Sequence, residues 1–207
     1  MKMKMMFKVI FSAGAILSGL ALGGASNAHA AAGTLFTREE ILQEFFPGAD
    51  SVEKRPVPLA GSLCEKLKAR LGYVPRSPDG SGSFPVWVGT KGGAILGYAV
   101  IDDEKGMHEP ITFAVLVGPD GIVNRQEVLV YRESEGDGIT RKAFRRQFVG
   151  KTVKSPLRPG ADVVIVSGAT ISSNSMAVGV RRALAIVTEA FLQTPEAPVG
   201  RLPGAGL

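Results

Sequence analysis

Four apolar runs follow one another in the middle of the chain, and they constrain the fold more than any other feature. The runs are FPVWVGT, GAILGYAVID, ITFAVLVG and IVNRQEVLVYRE, between residues 84 and 133. They are rich in Val, Ile, Phe and Tyr, which favour strands. Strands that are joined by short links pair antiparallel, and Pro119-Asp120-Gly121 predicts a hairpin turn between the last two. We therefore expect an antiparallel sheet here.

Two helices are predicted before this sheet. Residues 37–48 combine a capping box, Thr37 with Glu40, with a stop at Pro47-Gly48. Residues 62–72 repeat the pattern with Ser62, Glu65 and Gly72. The segment RPVPLAG, residues 55–61, separates the two helices and is predicted as an extended connector.

Helical patterns also follow the sheet. Residues 140–150 favour a helix, and VVIV at 163–166 predicts a short buried strand. The last helix carries a single apolar stripe at helical spacing, formed by Met176, Val180, Ala183, Leu184, Val187 and Phe191. The predicted class is α+β: an antiparallel sheet that is flanked by N-terminal and C-terminal helices.

The two ends of the chain differ in composition from this domain. Residues 1–30 combine a basic start, an apolar run and Ala28-His29-Ala30, which predicts a cleaved secretory signal peptide. An uncleaved membrane anchor is the alternative, and the apolar run is marginal for a spanning helix. We expect an exported, periplasmic domain over residues 31–193, followed by a flexible Pro/Gly-rich tail over residues 194–207.

Charge and cysteine content exclude several classes of function. Removing residues 1–30 removes three lysines and no acid, which lowers the formal charge from +5 to +2. A mildly basic domain argues against nucleic acid as a partner. The single cysteine, Cys64, and the single histidine outside the signal, His108, argue against disulfides, iron–sulfur clusters and histidine-rich metal sites.

The most specific local sequence is Ser167-Gly168-Ala169-Thr170, immediately before the last helix. Gly168 and Ala169 leave room for a ligand, and the free N–H groups of a helix start favour phosphate. Further serines offer N-caps, and several cations lie nearby in sequence: Ser172, Ser173 and Ser175, with Lys151, Lys154, Arg158, Arg181 and Arg182. An ordinary helix cap without a ligand is the alternative. No Walker lysine and no Gly-x-Ser-x-Gly elbow accompanies the motif.

The segment VSGATISS resembles the flavinylation motif of the FMN-binding domain family. That family includes the FMN-carrying subunits of sodium-pumping NADH:quinone reductase and of Rnf-type complexes, and stand-alone exported flavoproteins. FFPGADSVE (45–53), ILGYAV (95–100) and ESEGDGI (133–139) resemble further family segments, the last one preserving Glu133, Gly136 and Gly138. One departure is Val164, where the family often has Asp; Asp162 lies two residues earlier.

The resemblance implies an exported electron-transfer flavoprotein in which FMN is joined to Thr170 through a phosphoester that a flavin transferase makes from FAD. The cofactor-binding residues it implies are Thr170, Ser167, Gly168, Ala169, Ser172, Glu133, Gly136 and Gly138. Redox partners would be membrane or soluble proteins, and the chain would be a carrier more than an enzyme with its own substrate. A non-covalent FMN- or ligand-binding module and a small flavin reductase are the alternatives.

Two roles near the predicted flavin stay open at this point. Glu133 either accepts a hydrogen bond from the flavin or caps a turn, and the two glycines of its loop allow backbone to approach a ring closely. Trp87, Tyr98 and Tyr131 either stack on the flavin or pack in the core.

Overall fold

The computed structural model describes residues 33–193, so the predicted signal peptide (1–30) and tail (194–207) lie outside the described residues. The helices and strands are α1 (Arg38–Phe45), β1 (Ser51–Pro58), α2 (Gly61–Leu71), β2 (Ser83–Lys91), β3 (Ala94–Lys105), β4 (Pro110–Val117), β5 (Val123–Val130), α3 (Lys142–Arg146) and α4 (Thr170–Val187). A 3₁₀ turn over Asp137–Thr140 precedes α3, and a π turn over Thr188–Leu192 follows α4. This order confirms the predicted α+β class.

The five strands form one antiparallel sheet in the order β1-β2-β3-β4-β5. The predicted turn before β5 is present, since the Gly118 N–H donates to the Ile122 carbonyl over 2.8 Å. The prediction of residues 55–61 as a connector is wrong for its first half, which belongs to β1. Pro56 is compatible with a strand there because β1 is an edge strand, where a missing N–H leaves no neighbour unpaired.

The sheet separates two apolar clusters. On one face the stripe of α4, which includes Met176 and Val180, packs with Phe113 and Val115. On the other face Ile41 of α1 packs in a cluster with side chains of β2, β3 and β4. Two buried layers fix α4 against the sheet, and the described residues contain no helix whose length and apolarity would let it cross a membrane.

The helix ends agree only in part with the sequence. Thr37 and Glu40 form the predicted capping box of α1, with bonds of 3.2 and 2.8 Å. The box predicted for α2 is wrong, because α2 begins at Gly61 after an Ala60 N-cap and Ser62 therefore lies inside the first turn.

The segments between β5 and α4 also differ from their predictions. The helix predicted over residues 140–150 is shorter, since Gly150 and Lys151 form backbone bonds with Val123 of β5 and turn the chain away. The strand predicted at 163–166 is wrong. The side chain of Gln147 binds both the N–H and the carbonyl of Val164, so these groups do not join a ladder, and the valine is 73% exposed.

Candidate functional site

A cavity of about 240 Å³ lies at the N-terminal end of α4. Three segments line it: residues 107–108 between β3 and β4, residues 133–135 after β5, and residues 168–172 at the start of α4. The structure thus brings together five of the eight residues predicted from the sequence, namely Thr170, Gly168, Ala169, Ser172 and Glu133. The other three, Ser167, Gly136 and Gly138, lie outside this lining. Their role toward a cofactor stays a prediction.

Thr170 is the first residue of α4, and its side chain is exposed. The N-cap is Ala169, which has no side chain that could accept a hydrogen bond, and α4 lacks a side-chain cap. Within residues 33–193, the N–H groups of Thr170, Ile171 and Ser172 have no hydrogen-bond acceptor. An uncapped helix start of this kind provides donors and a partial positive charge for an anion.

The prediction that serines cap this helix is wrong. Because α4 begins at Thr170, Ser172 and Ser173 lie inside its first turn, and both are buried. The Ser173 hydroxyl accepts a hydrogen bond from the Val166 N–H over 3.2 Å. It therefore holds the chain that leads into the helix and leaves the free N–H groups of the first turn uncovered.

Gly168 allows the sharp turn before Thr170. Its φ of +76° lies in the left-handed region, which side-chain-bearing residues rarely adopt. A Cβ at this position would meet no atom within 4 Å. The glycine is therefore required for backbone conformation, while the space beside it is open toward the cavity.

Glu133 fixes the turn between β3 and β4. Its Oε1 accepts hydrogen bonds from the His108 N–H at 2.7 Å and the Glu109 N–H at 3.1 Å. The bond from His108 is the main reason that the pKa of Glu133 lies below its usual value. Of the two roles left open by the sequence, the structure thus gives Glu133 the turn-capping one, which joins two walls of the cavity.

Two further contacts fix the remaining walls. Tyr131 is buried, and its hydroxyl donates to the carbonyl of Glu135 and lies 3.5 Å from the Ser172 hydroxyl oxygen. The Ser175 hydroxyl of α4 donates to the carbonyl of Lys105 at the end of β3 over 2.5 Å. Tyr131 is therefore a packing and positioning residue, and the cavity is a built feature of the fold.

Gly136 and Gly138 permit close packing within the protein. A Cβ on Gly136 would lie 2.8 Å from the Tyr131 hydroxyl and 3.1 Å from the Ala169 Cβ. A Cβ on Gly138 would lie 2.5 Å from Cγ1 of Val166. The close approach that the sequence suggested for these glycines is thus made to the turn that carries Thr170.

Gly138→Ala is expected to destabilise the fold by about 1–3 kcal/mol, because the added methyl overlaps the Val166 side chain. Val166→Ala removes the overlapping atom, so we expect the double variant to recover most of that loss. Chemical unfolding of the wild type, both single variants and the double variant measures the coupling. Equal destabilisation of Gly138→Ala with and without Val166→Ala would contradict the contact.

The cations that precede and follow the motif in sequence lie away from the cavity, which contradicts the expectation that they supply its positive charge. Lys151 pairs with Asp162 at 3.0 Å, and Arg182 pairs with Asp102 and Glu104. Arg181 and Arg182 are three turns along α4, roughly 17 Å from its start. No lysine or arginine is among the described residues that line the cavity, whereas two glutamates are.

Asp162 organises the loop before the motif. Its carboxylate accepts bonds from the Arg158 N–H at 2.6 Å, the Leu157 N–H at 3.1 Å and Lys151 Nζ at 3.0 Å. Burial works against its ionisation, but these bonds outweigh burial and hold the pKa of Asp162 below its usual value. This carboxylate is therefore engaged inside the loop, and Val164 is the exposed side chain on the approach to Ser167.

Sequence reasoning missed the apolar part of the cavity. Met107 and Ile171 line it and are 59% and 47% exposed, respectively. One signal for Ile171 was available, since it lies off the apolar stripe of α4 and so has no place in the core. Met107 carried a weaker signal, an apolar residue in a polar turn. His108, Ser134 and Glu135 complete the lining; in the described part of the chain, no group of acidic, histidine or cysteine residues could hold a metal ion.

Comparison with known proteins gives a match to this part of the chain. Residues 106–185 match the model of a family described as FMN-binding domain, and every segment that lines the cavity falls within them. A solved structure of NqrC from Shewanella oneidensis is similar, with a TM-score of 0.48 and 17% identity over 72% of this chain and 84% of that chain. A second similar structure, from the Na(+)-translocating NADH-quinone reductase of Parabacteroides distasonis, has a TM-score of 0.44 and 18% identity over 55% of this chain and 65% of that chain. No curated protein matches the sequence.

Proposed function

Residues 106–185 belong to the FMN-binding domain family, and from this membership we propose that the chain is an electron-transfer flavoprotein with FMN attached covalently to Thr170. The observation that carries the proposal is the exposed alcohol of Thr170 at the uncapped start of α4, inside the cavity. A flavin transferase would join Thr170 Oγ1 to the FMN phosphate of FAD, and AMP would leave with the threonine proton.

The charge around Thr170 suits a phosphodiester better than free FMN. A phosphate monoester carries nearly two negative charges at neutral pH, whereas a phosphodiester carries one. The helix start offers about half a positive charge and three free N–H groups. Glu133 and Glu135 line the same cavity without a lysine or arginine among the described lining residues. This balance disfavours a dianion and favours an anion whose charge is reduced by esterification.

The shape and lining of the cavity fit part of the cofactor. A volume of about 240 Å³ is below the roughly 300–1,000 Å³ of sites that enclose a small organic ligand. Met107 and Ile171 offer exposed apolar surface beside Thr170 and could contact the flavin ring. A large part of a tethered FMN would therefore stay accessible, which suits electron exchange with another protein.

FMN supplies the redox chemistry when it is bound, and the chain's residues hold it in place. Covalent attachment prevents its loss by dilution if residues 1–30 direct the protein out of the cytoplasm. Glu133, the acid predicted beside the flavin, already accepts two backbone hydrogen bonds. Its engagement in the fold favours a carrier over a small reductase.

The test is to produce the full chain together with a flavin transferase and FAD, and then to denature it. We expect flavin fluorescence to stay with the protein band, and the intact mass to increase by one FMN less one water. The loaded protein should accept electrons from a chemical reductant and return them to an acceptor protein. Flavin that leaves on denaturation would support the non-covalent module, and saturable turnover of a small acceptor would support the reductase.

A further inference from the structure

A second groove, of about 490 Å³, lies between β5 and α3 and shares no residue with the cavity at Thr170. Residues 124–127 of β5 form one wall, and Lys142, Arg145, Arg146 and Val149 form the other. The groove follows the cavity closely in sequence, because residues 136–141 connect the wall of one to the wall of the other.

The groove is strongly basic. Four cationic side chains and one carboxylate, that of Glu127, line it. Glu127 is buried and pairs with both Arg125, at 2.8 Å, and Arg145. Burial first, and the charge of Arg125 second, lower the pKa of Arg145. One carboxylate therefore serves two guanidinium groups, with Glu44 contacting Arg125 from outside the groove at 2.6 Å.

Two of the four cations have no counter-charge in the described part of the chain. Lys142 and Arg146 are exposed, and no carboxylate among residues 33–193 lies within 4.0 Å of either one. The ion pair nearest to them in sequence is Arg141 with Asp137, at 3.9 Å. Lys142 and Arg146 are four residues apart on α3, a spacing that places both side chains on one face.

The wall formed by β5 is an open strand edge. Backbone bonds from outside the sheet cover both ends of β5: Gly150 and Lys151 bind Val123, and Leu35 binds Leu129. Among the described residues, no segment outside the sheet forms backbone bonds with residues 124–128. An unpaired strand edge is a template for an additional strand.

We propose that this groove docks an extended acidic segment of a partner protein, which lies along the open edge of β5 and places its carboxylates on Lys142 and Arg146. Val149, which is 48% exposed, offers an apolar contact at the end of the groove. The identification of that partner as a redox protein rests on the proposed function, whereas the acidic, strand-like chemistry of the segment follows from the groove alone.

The test uses fluorescence anisotropy of a labelled eight-residue peptide with alternating Glu and Val, mixed with the full chain. Alternation places the carboxylates on one side of an extended segment. We expect Lys142→Glu with Arg146→Glu to weaken binding about tenfold or more. The matched control, Lys66→Glu with Lys68→Glu on exposed positions of α2, has the same change in net charge and is expected to leave binding within about twofold.

Three further arms separate the explanations. A peptide with alternate backbone nitrogens methylated loses donors for strand pairing, and we expect it to bind more weakly. The Thr170→Val chain, which cannot carry the proposed ester, should bind the unmodified peptide as the loaded chain does, so the docking site and the flavin site can fail independently. Equal weakening by both charge reversals, equal binding of the methylated peptide, or binding only to anionic lipid vesicles would overturn the proposal.

Discussion

Thr170→Val is expected to abolish covalent attachment of FMN while changing the free energy of unfolding by no more than about 0.5 kcal/mol. The substitution removes the only atom that could form the proposed ester and keeps a side chain of nearly the same shape. It leaves the fold unaffected because Thr170 is exposed at the first position of an uncapped helix. Intact mass and flavin fluorescence after denaturation measure the first effect, and chemical unfolding measures the second.

Two matched variants define what this result means. Thr170→Ser keeps the alcohol and is expected to retain covalent flavin. Ser134→Ala removes another exposed hydroxyl from the lining of the same cavity and is expected to load fully. Ser172 is not a comparable acceptor, because it is buried beside the Tyr131 hydroxyl. Flavin that persists in Thr170→Val, or disappears in Ser134→Ala, would show that another residue is the acceptor.

The parts of the site that could be predicted from the sequence are those whose chemistry is local. Gly168 precedes a helix that starts with an alcohol, and four consecutive residues suffice to suggest a turn that exposes Thr170. The strands β2 to β5 were predictable for a similar reason, since their composition and short links decide the pairing. In both cases the information lies within a few residues of the feature it determines.

The parts that failed depend on packing between distant segments. Met107 reaches the cavity because Glu133, which follows β5, binds the turn between β3 and β4. Proximity in sequence also misled the assignment of charge, because Arg182 follows Thr170 closely in the chain but lies three helical turns away. Its carboxylate partners come from β3, and no local pattern announces them.

Arg182 joins α4 to β3 through a buried ionic cluster. Its Nε donates to Asp102 over 2.7 Å and its Nη1 donates to Glu104 over 2.5 Å. The three side chains are 12%, 7% and 16% exposed, respectively. Burial works against the charge on Arg182, but the two carboxylates outweigh burial and raise the pKa of the guanidinium. The cluster therefore holds the helix that carries Thr170 against the centre of the sheet.

Arg182→Met is expected to destabilise the protein by about 3 kcal/mol at neutral pH, because it leaves Asp102 and Glu104 buried without a cation. Arg181→Met is the matched control. Arg181 donates only one long bond, 3.4 Å to the Leu157 carbonyl, and its Nε is buried without a partner, so this change is expected to be close to neutral. Chemical unfolding of both variants over a range of pH provides the comparison.

The pH dependence distinguishes lost charge pairing from lost packing. Without Arg182, burial raises the folded-state pKa of the two carboxylates above their unfolded values. Their penalty is then fully present above those raised pKa values and shrinks as protons bind, so the deficit of Arg182→Met should decrease between about pH 7 and pH 4. Adding Asp102→Asn and Glu104→Gln to Arg182→Met should recover much of the loss. A deficit that is independent of pH, or equal to that of Arg181→Met, would show that the cluster contributes packing alone.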